Sequence, residues 1–258
     1  MESFLPRAIC ETTKEEEEGK KMAGESLSKG TVLSDTMIQD EMKAGNVIIS
    51  PFNQVCLSNC SYDVTLGEWY YRNIDYTSDD PVYRRGGRQF VFNPWCKGDV
   101  ELFWGSPMRA TRKDCVDTGL EPGTQYIVIS PGETILAHTQ EFIGGRGNIT
   151  TMMKARSSIG RSCIAICKCA GWGDIGYTNR WTMEITNLST RTPIVLPVGA
   201  RVAQIVFMYS GPTSAPYAGK YQQQEEGKES AEQVIKRLEA SWTPQAMLPK
   251  LWMDKTIS

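Results

Sequence analysis

From about residue 45 to Ser210, apolar and polar positions alternate with a period of two, the spacing of strands that bury one face. SYDVTLGEWYYR, RQFVFNP, DVELFW and TQYIVISPGETILAHTQEF carry the pattern, and so does the span 154–187, KARSSIGRSCIAICKCAGWGDIGYTNRWTMEITN. Pro-Gly, Gly-Gly and Asn punctuate the runs where the chain must turn. The pattern predicts a mainly β domain, a distorted β-barrel or jelly-roll-like sandwich. Two stretches depart from it. Met37, Ile38 and Met42 recur at helical spacing, with Ser34 or Asp35 as cap and Gly45 as stop, which predicts a short N-terminal helix. Val234, Leu238 and Trp242 share a helical face, with Ile235 beside them and Pro244 closing the run. This predicts a short C-terminal helix that docks on the barrel or on a neighbouring subunit. Residues 1–29 are polar, with the acidic run Glu15 to Glu18 among lysines, and read as a flexible extension. The expected organisation is therefore an extension over 1–29, a β domain over 30–225 and a helical extension over 226–258.

Charge narrows the partners. A net charge of −2 lacks the basic surplus with which proteins coat nucleic acid, but leaves room for a small anionic ligand held by a few local cations. No run of about eighteen apolar residues exists, so no membrane partner is expected. The opening MESFLPRAICETTKEEEEGKK lacks the basic-then-apolar plan of a secretory signal, so a soluble, cytoplasmic protein is expected. In that setting the eight cysteines read as reduced thiols, with Cys163 and Cys167 as small core residues.

Candidate chemistry concentrates in 154–187. Arg156, Ser157, Ser158 and Arg161 offer two guanidiniums and two hydroxyls suited to phosphate oxygens, although such a segment also reads as a solvated loop. Gly171, Gly173 and Gly176 allow backbone angles closed to other residues; the corner could present peptide groups to a flat base beside Tyr177, or be an ordinary hairpin turn. In RWTMEITN, Trp181, Met183 and Ile185 face one side, and Arg180, Thr182, Glu184 and Thr186 the other. Glu184 is either a solvated strand residue or a carboxylate facing a pocket. Zinc-dependent nucleobase deamination needs His-x-Glu with Pro-Cys-x-x-Cys. The chain has one histidine, His138 in AHTQE, and no Pro-Cys-x-x-Cys, so no zinc site is expected.

The order ARSSIGR, GDIGYTNRWTMEITN, LPVGARVAQIVF and SGPTSAPYAGKYQQQ resembles the dCTP deaminase branch of the trimeric dUTPase superfamily. Upstream, VLSDTMIQDEMKAGNVIISPF, SYDVTLG and PGETILAHTQEF agree, so the resemblance runs from about residue 31 to 225. It implies a dUTPase-like β-clip fold and hydrolysis of dCTP to dUTP and ammonia, feeding dUMP and dTTP synthesis. By the same resemblance Glu184 is the acid/base, with Ser157 and Arg161 as catalytic partners. Substrate-binding roles fall on Arg156, Ser158, Ala170, Asp174, Tyr177, Gln204, Lys220, Tyr221 and Gln224. It further implies Mg2+ carried by the triphosphate with no protein-held metal, dTTP as an inhibitor and a homotrimer whose pockets are built by neighbouring subunits. Asp174, Tyr177 and the Ala170-Gly171 pair equally suit a dUTPase, so a bifunctional enzyme giving dUMP, or a plain dUTPase, stays open. A nucleotide-binding regulator without turnover is a further alternative.

Overall fold

The computed structural model of the chain describes residues 32–73, 84–85, 88–112, 118–215, 217–221 and 229–254. The expected extension over 1–29 and Gln224 lie outside the described residues. Helix α1 (Asp35–Lys43) starts where Ser34 Oγ accepts from the Met37 N–H, buries Ile38, and stops before Gly45 at φ +78°. Strand β1 (Val47–Ser50) follows, then β2 (Leu57–Ser58) and the long β3 (Ser61–Arg72). A two-residue hairpin, β4 (Arg84–Arg85) and β5 (Arg88–Gln89), leads to helix α2 (Lys97–Trp104) and β6 (Met108–Arg109).

Two expected strands fail here. RQFVFNP is strand only to Gln89; Val91 is 80% exposed, and Phe92 turns aside to stack on Phe103, centroids 4.3 Å apart. DVELFW lies in α2. Val100 and Trp104 stand four apart and meet one apolar cluster, so the helical period governs a segment too short for its alternation to decide.

Strands β7 (Tyr126–Ile129), β8 (Thr134–Gly145) and β9 (Ile149–Ala155) lead to a five-residue helix, α3 (Ser157–Arg161). Then come β10 (Ile164–Ile166), β11 (Trp172–Gly173), β12 (Thr178–Asn187), β13 (Ile194–Pro197) and β14 (Arg201–Tyr209). The main sheet runs β10-β12-β8-β3-β14-β9-β11, with β1 added to β8 and β2 and β6 to β3; β7 and β13 form a separate pair. Contacts between β9 and β10, far apart in that order, show that the sheet curls round on itself. The domain is a mainly β distorted barrel, as the alternation predicts.

Inside the curl sit Tyr62, Val64, Leu66, Ile135, Ala137, Ile143, Met183, Ile185, Ile205 and Phe207. Helix α4 (Ala231–Ser241) begins in a capping box between Ser230 and Gln233. It lays Val234 and Leu238 on Ile48 and Phe142, on the other face of the sheet from that core. Met247 and Leu248 then pack on Tyr71, Val100 and Leu136. Strand β8 is thus buried on both faces, with Ile135 and Ala137 inward and Leu136 under the C-terminal segment. At about 25 cal/mol per Å² of apolar area, covering this second face contributes several kcal/mol. His138 is one more buried part of that strand. A Cβ on Gly67 would lie 2.0 Å from its Cε1, so the ring occupies the space that a side chain on β3 would fill.

Candidate active site

Glu184 sits mid-strand on β12, in register with Leu136 of β8, and its carbonyl accepts from the Cys167 N–H at 3.1 Å. Alternation holds along the strand: Trp181, Met183 and Ile185 are buried, with Arg180, Thr182 and Glu184 on the opposite side. That side does not face open water at Glu184. The carboxylate lines a cavity of about 460 Å³ with Ala170, Asp174, Tyr177, Thr182, Tyr217 and Tyr221. Trp104, Leu136, Trp172, Trp181, Met247 and Pro249 complete the walls. Glu184 Oε2 is shielded from solvent and has no hydrogen-bond partner among the described residues. Burial pushes its carboxyl above the ordinary glutamate value, with its own N–H and the Lys168 charge pulling the other way. A carboxylate so placed is primed to accept a proton.

The Gly-rich corner crosses the cavity mouth. A Cβ on Gly171 would lie 2.3 Å from the Met153 carbonyl oxygen, and one on Gly173 2.3 Å from Thr151 Oγ1. Of the three glycines, Gly176 has a positive φ, at +89°. The expectation that all three are needed for backbone angle is therefore corrected: Gly171 and Gly173 are needed because β11 lies against β9 with no room for a side chain. Tyr177 donates its N–H to the Asp174 carbonyl (3.0 Å) and sets its ring edge-on to Trp181 and Tyr217, both 5.5 Å away. Burial drives its phenol pKa well up, so it stays a neutral donor.

The Arg-Ser-Ser segment is elsewhere. Ser157, Ser158 and Arg161 are exposed on α3 and line none of the cavities that hold Glu184. Arg156 is tied down: its Nε lies 3.0 Å from Asp63 Oδ2, and Nη1 donates to the Arg201 carbonyl at 3.2 Å. Arg201 also reaches Asp63, at 3.3 Å. Burial raises the Asp63 pKa while Arg156 and Arg201 hold it down. Gln204 pairs with Asp63 across β14 and β3, so it belongs to this cluster. Lys220 pairs with Asp254, and the Tyr221 carbonyl accepts from Asn179 Nδ2 at 3.1 Å.

The structure therefore brings Glu184, Ala170, Asp174, Tyr177 and Tyr221 to one cavity and leaves Arg156, Ser157, Ser158, Arg161 and Gln204 on another surface of the chain. Sequence reasoning missed Tyr217, Trp104, Met247 and Pro249. Tyr217 stands in the quoted PYAGKY tail and could have been found there; the other three come from helical and irregular segments with no motif. Cys167 is buried as expected, but Cys163 is exposed at φ +61° rather than in the core. Among the described residues no three His, Cys, Asp or Glu side chains converge to hold a metal ion. His138 is buried beside Trp242, with Nδ1 donating to the Thr139 carbonyl (2.8 Å) and Nε2 accepting from the Trp69 N–H (3.3 Å).

The curled sheet turns one strand carboxylate into an aromatic-walled cavity under a glycine-pinned corner. The chain that builds it belongs to the dCTP deaminase-like family, whose model matches residues 32–210. It is similar to the protein of Acidothermus cellulolyticus named "dCTP deaminase, dUMP-forming", at 29% identity over 189 residues, 72% of this chain and 84% of that one. The protein of the same name in Hydrogenobaculum sp. is 30% identical over 178 residues, covering 68% and 81%. Among solved structures it is similar to 2'-deoxycytidine 5'-triphosphate deaminase from Agrobacterium tumefaciens, with TM-score 0.48 and 19% identity, over 70% of this chain and 49% of that one.

Proposed function

We propose that the chain is a bifunctional enzyme that converts dCTP through dUTP to dUMP, releasing ammonia and pyrophosphate. The observation that carries the deamination step is the Glu184 carboxylate, which lines a cavity with aromatic walls and whose Oε2 is shielded from solvent with no hydrogen-bond partner among the described residues. Glu184 takes a proton from water as the water oxygen bonds to C4 of the pyrimidine, and passes that proton to the amino nitrogen so that ammonia leaves. A positioned base contributes about 10²–10⁴-fold. The rest comes from holding ring and water in line and from donors to the tetrahedral intermediate. This reading routes no step through a protein-held metal. The single histidine uses both ring nitrogens in the core, so the donor set does not fit a zinc-bound water. The substrate is the magnesium complex of the triphosphate, in which the ion takes its ligands from phosphate oxygens and water.

Two observations favour the second hydrolysis over release of dUTP. The relatives carry names that end in "dUMP-forming". Asp174 and Tyr177 line the same cavity as Glu184, as a carboxylate that aims water at the α-phosphorus and a ring against the deoxyribose would need to. Ser157 and Arg161 enter as partners supplied by a neighbouring subunit of a homotrimer: α3 is exposed, and Glu184 Oε2 has no donor among the described residues.

Product identification with purified protein and dCTP tests the reading. Wild type should yield ammonia, dUMP and pyrophosphate in equal amounts. Glu184→Gln should cut ammonia release by at least about 10²-fold while dCTP affinity stays within about tenfold. Asp174→Asn should accumulate dUTP. Binding of dCTP with no product would reduce the protein to a nucleotide-binding regulator and overturn the proposal.

A further inference from the structure

Beside the Glu184 cavity lies a second one of about 420 Å³, walled largely by the tail at Lys220 and the C-terminal segment, both beyond the family match. Lys97, Lys220 and Lys250 line it, with Trp242 and Trp252 as flat walls. Tyr221 lines both cavities. Lys220 Nζ and Lys250 Nζ approach its ring centroid at 5.8 and 5.5 Å. The Lys250 N–H donates to the Tyr221 hydroxyl at 3.0 Å, and Lys250 Nζ to the Lys220 carbonyl at 3.1 Å.

Charge in this cavity is unbalanced. Lys220 has Asp254, and Lys97 has the exposed Glu101 at 3.6 Å. Lys250 is half-buried yet makes no ion pair among the described residues, and desolvation lowers its pKa. An ammonium drawn out of water without an opposing carboxylate favours an anion beside it. Resting on the function proposed above, we infer that Lys250 is a phosphate-binding residue. The pyrimidine lies against Glu184, Tyr221 marks the boundary, and the triphosphate of the same nucleotide extends into the lysine cavity. There Lys250 replaces its bond to the Lys220 carbonyl with one to a phosphate oxygen.

Steady-state ammonia release by the full-length protein tests this. Lys250→Met should raise KM for dCTP about tenfold, the worth of a charge-assisted hydrogen bond, with kcat within about twofold. Lys250→Arg should restore most of the loss, which separates charge from folding. Lys236→Met, on the exposed side of α4, should change neither constant. Inorganic tripolyphosphate should compete with dCTP in wild type and inhibit Lys250→Met about tenfold less well. A KM within about twofold of wild type for Lys250→Met overturns the inference. So does noncompetitive inhibition by tripolyphosphate, which would mean a separate effector site. Should wild type release no ammonia, the proposed function fails, and calorimetric titration of tripolyphosphate then decides the lysine site alone. Weaker binding to Lys250→Met upholds it, and equal binding removes it.

Discussion

The cavity around Glu184 and the surface around α3 are built on opposite principles. Glu184 stands on a strand paired on both sides, by β8 and β10, so the pleat fixes where its carboxylate points. Its surroundings are rings and apolar walls with few charges. Ser157 and Arg161 instead stand on one turn of helix, exposed, held through Arg156 by the buried carboxylate of Asp63. Among the described residues, one region has an acceptor, Glu184 Oε2, without a donor, and the other exposes the Ser157 and Arg161 donors to solvent. Within one chain they do not meet. Separate regions of this kind are what the proposed shared, intersubunit pocket requires, and on that proposal neither is catalytic alone.

The largest effect that would break this comparison comes from mixing variants. Glu184→Gln and Ser157→Ala should each lose deamination by about 10²–10⁴-fold. Co-expressed and assembled together, they should regain activity, because about a quarter of the sites then pair an intact Glu184 with an intact neighbouring Ser157. Mixed oligomers as dead as either parent would place both residues in one chain's site and end the half-site argument. A smaller effect is expected at Asp63. Asp63→Asn removes the charge that holds Arg156 and Arg201, both partly exposed, so the stability cost is modest, about 1–2 kcal/mol. Ammonia release should fall about tenfold as α3 loses its anchor, with dCTP affinity less affected. Asp63→Asn with wild-type kcat would show that the ion pair does not position the loop.

The cavity half was more legible in the sequence than its partner, and the reason is periodic. Alternation in RWTMEITN puts Glu184 opposite the Trp181, Met183 and Ile185 face before any coordinates are known, and β12 obeys it. Alternation alone does not say what covers the other face. Here Trp104, Met247 and Pro249 do, from α2 and the C-terminal segment, and no local pattern ties them to β12. DVELFW failed because a six-residue run fits periods of two and 3.6 alike. The Arg-Ser-Ser segment shows its guanidiniums and hydroxyls in the sequence, but not its position. Where Arg156 points depends on Asp63, more than ninety residues earlier in the chain and reached through the pairing of β14 with β3. Gly67 shows the same limit: a glycine in a strand signals close approach, but that the approaching group is the His138 ring follows from the register of β3 on β8.

The smallest effect is the most discriminating, because it reads the meeting of the two regions through one proton. Burial raises the Glu184 pKa in the isolated chain. A general base must be ionised, so kcat/KM for deamination should fall as pH drops through that raised value, which lies above the ordinary glutamate range. The sign is fixed: a raised pKa means that Glu184 protonates, and stops acting as base, at a pH where exposed carboxylates are still charged. If a neighbour's Arg161 docks beside Glu184, its positive charge favours the ionised form and draws the acid limb back toward lower pH. Arg161→Met should then shift the limb of kcat/KM to higher pH, beyond any loss of rate at the plateau. Lys168→Met should shift it the same way in either case, since Lys168 already pulls on Glu184 within the chain. A limb that moves for Lys168→Met and stays fixed for Arg161→Met would mean that the carboxylate works without the other surface.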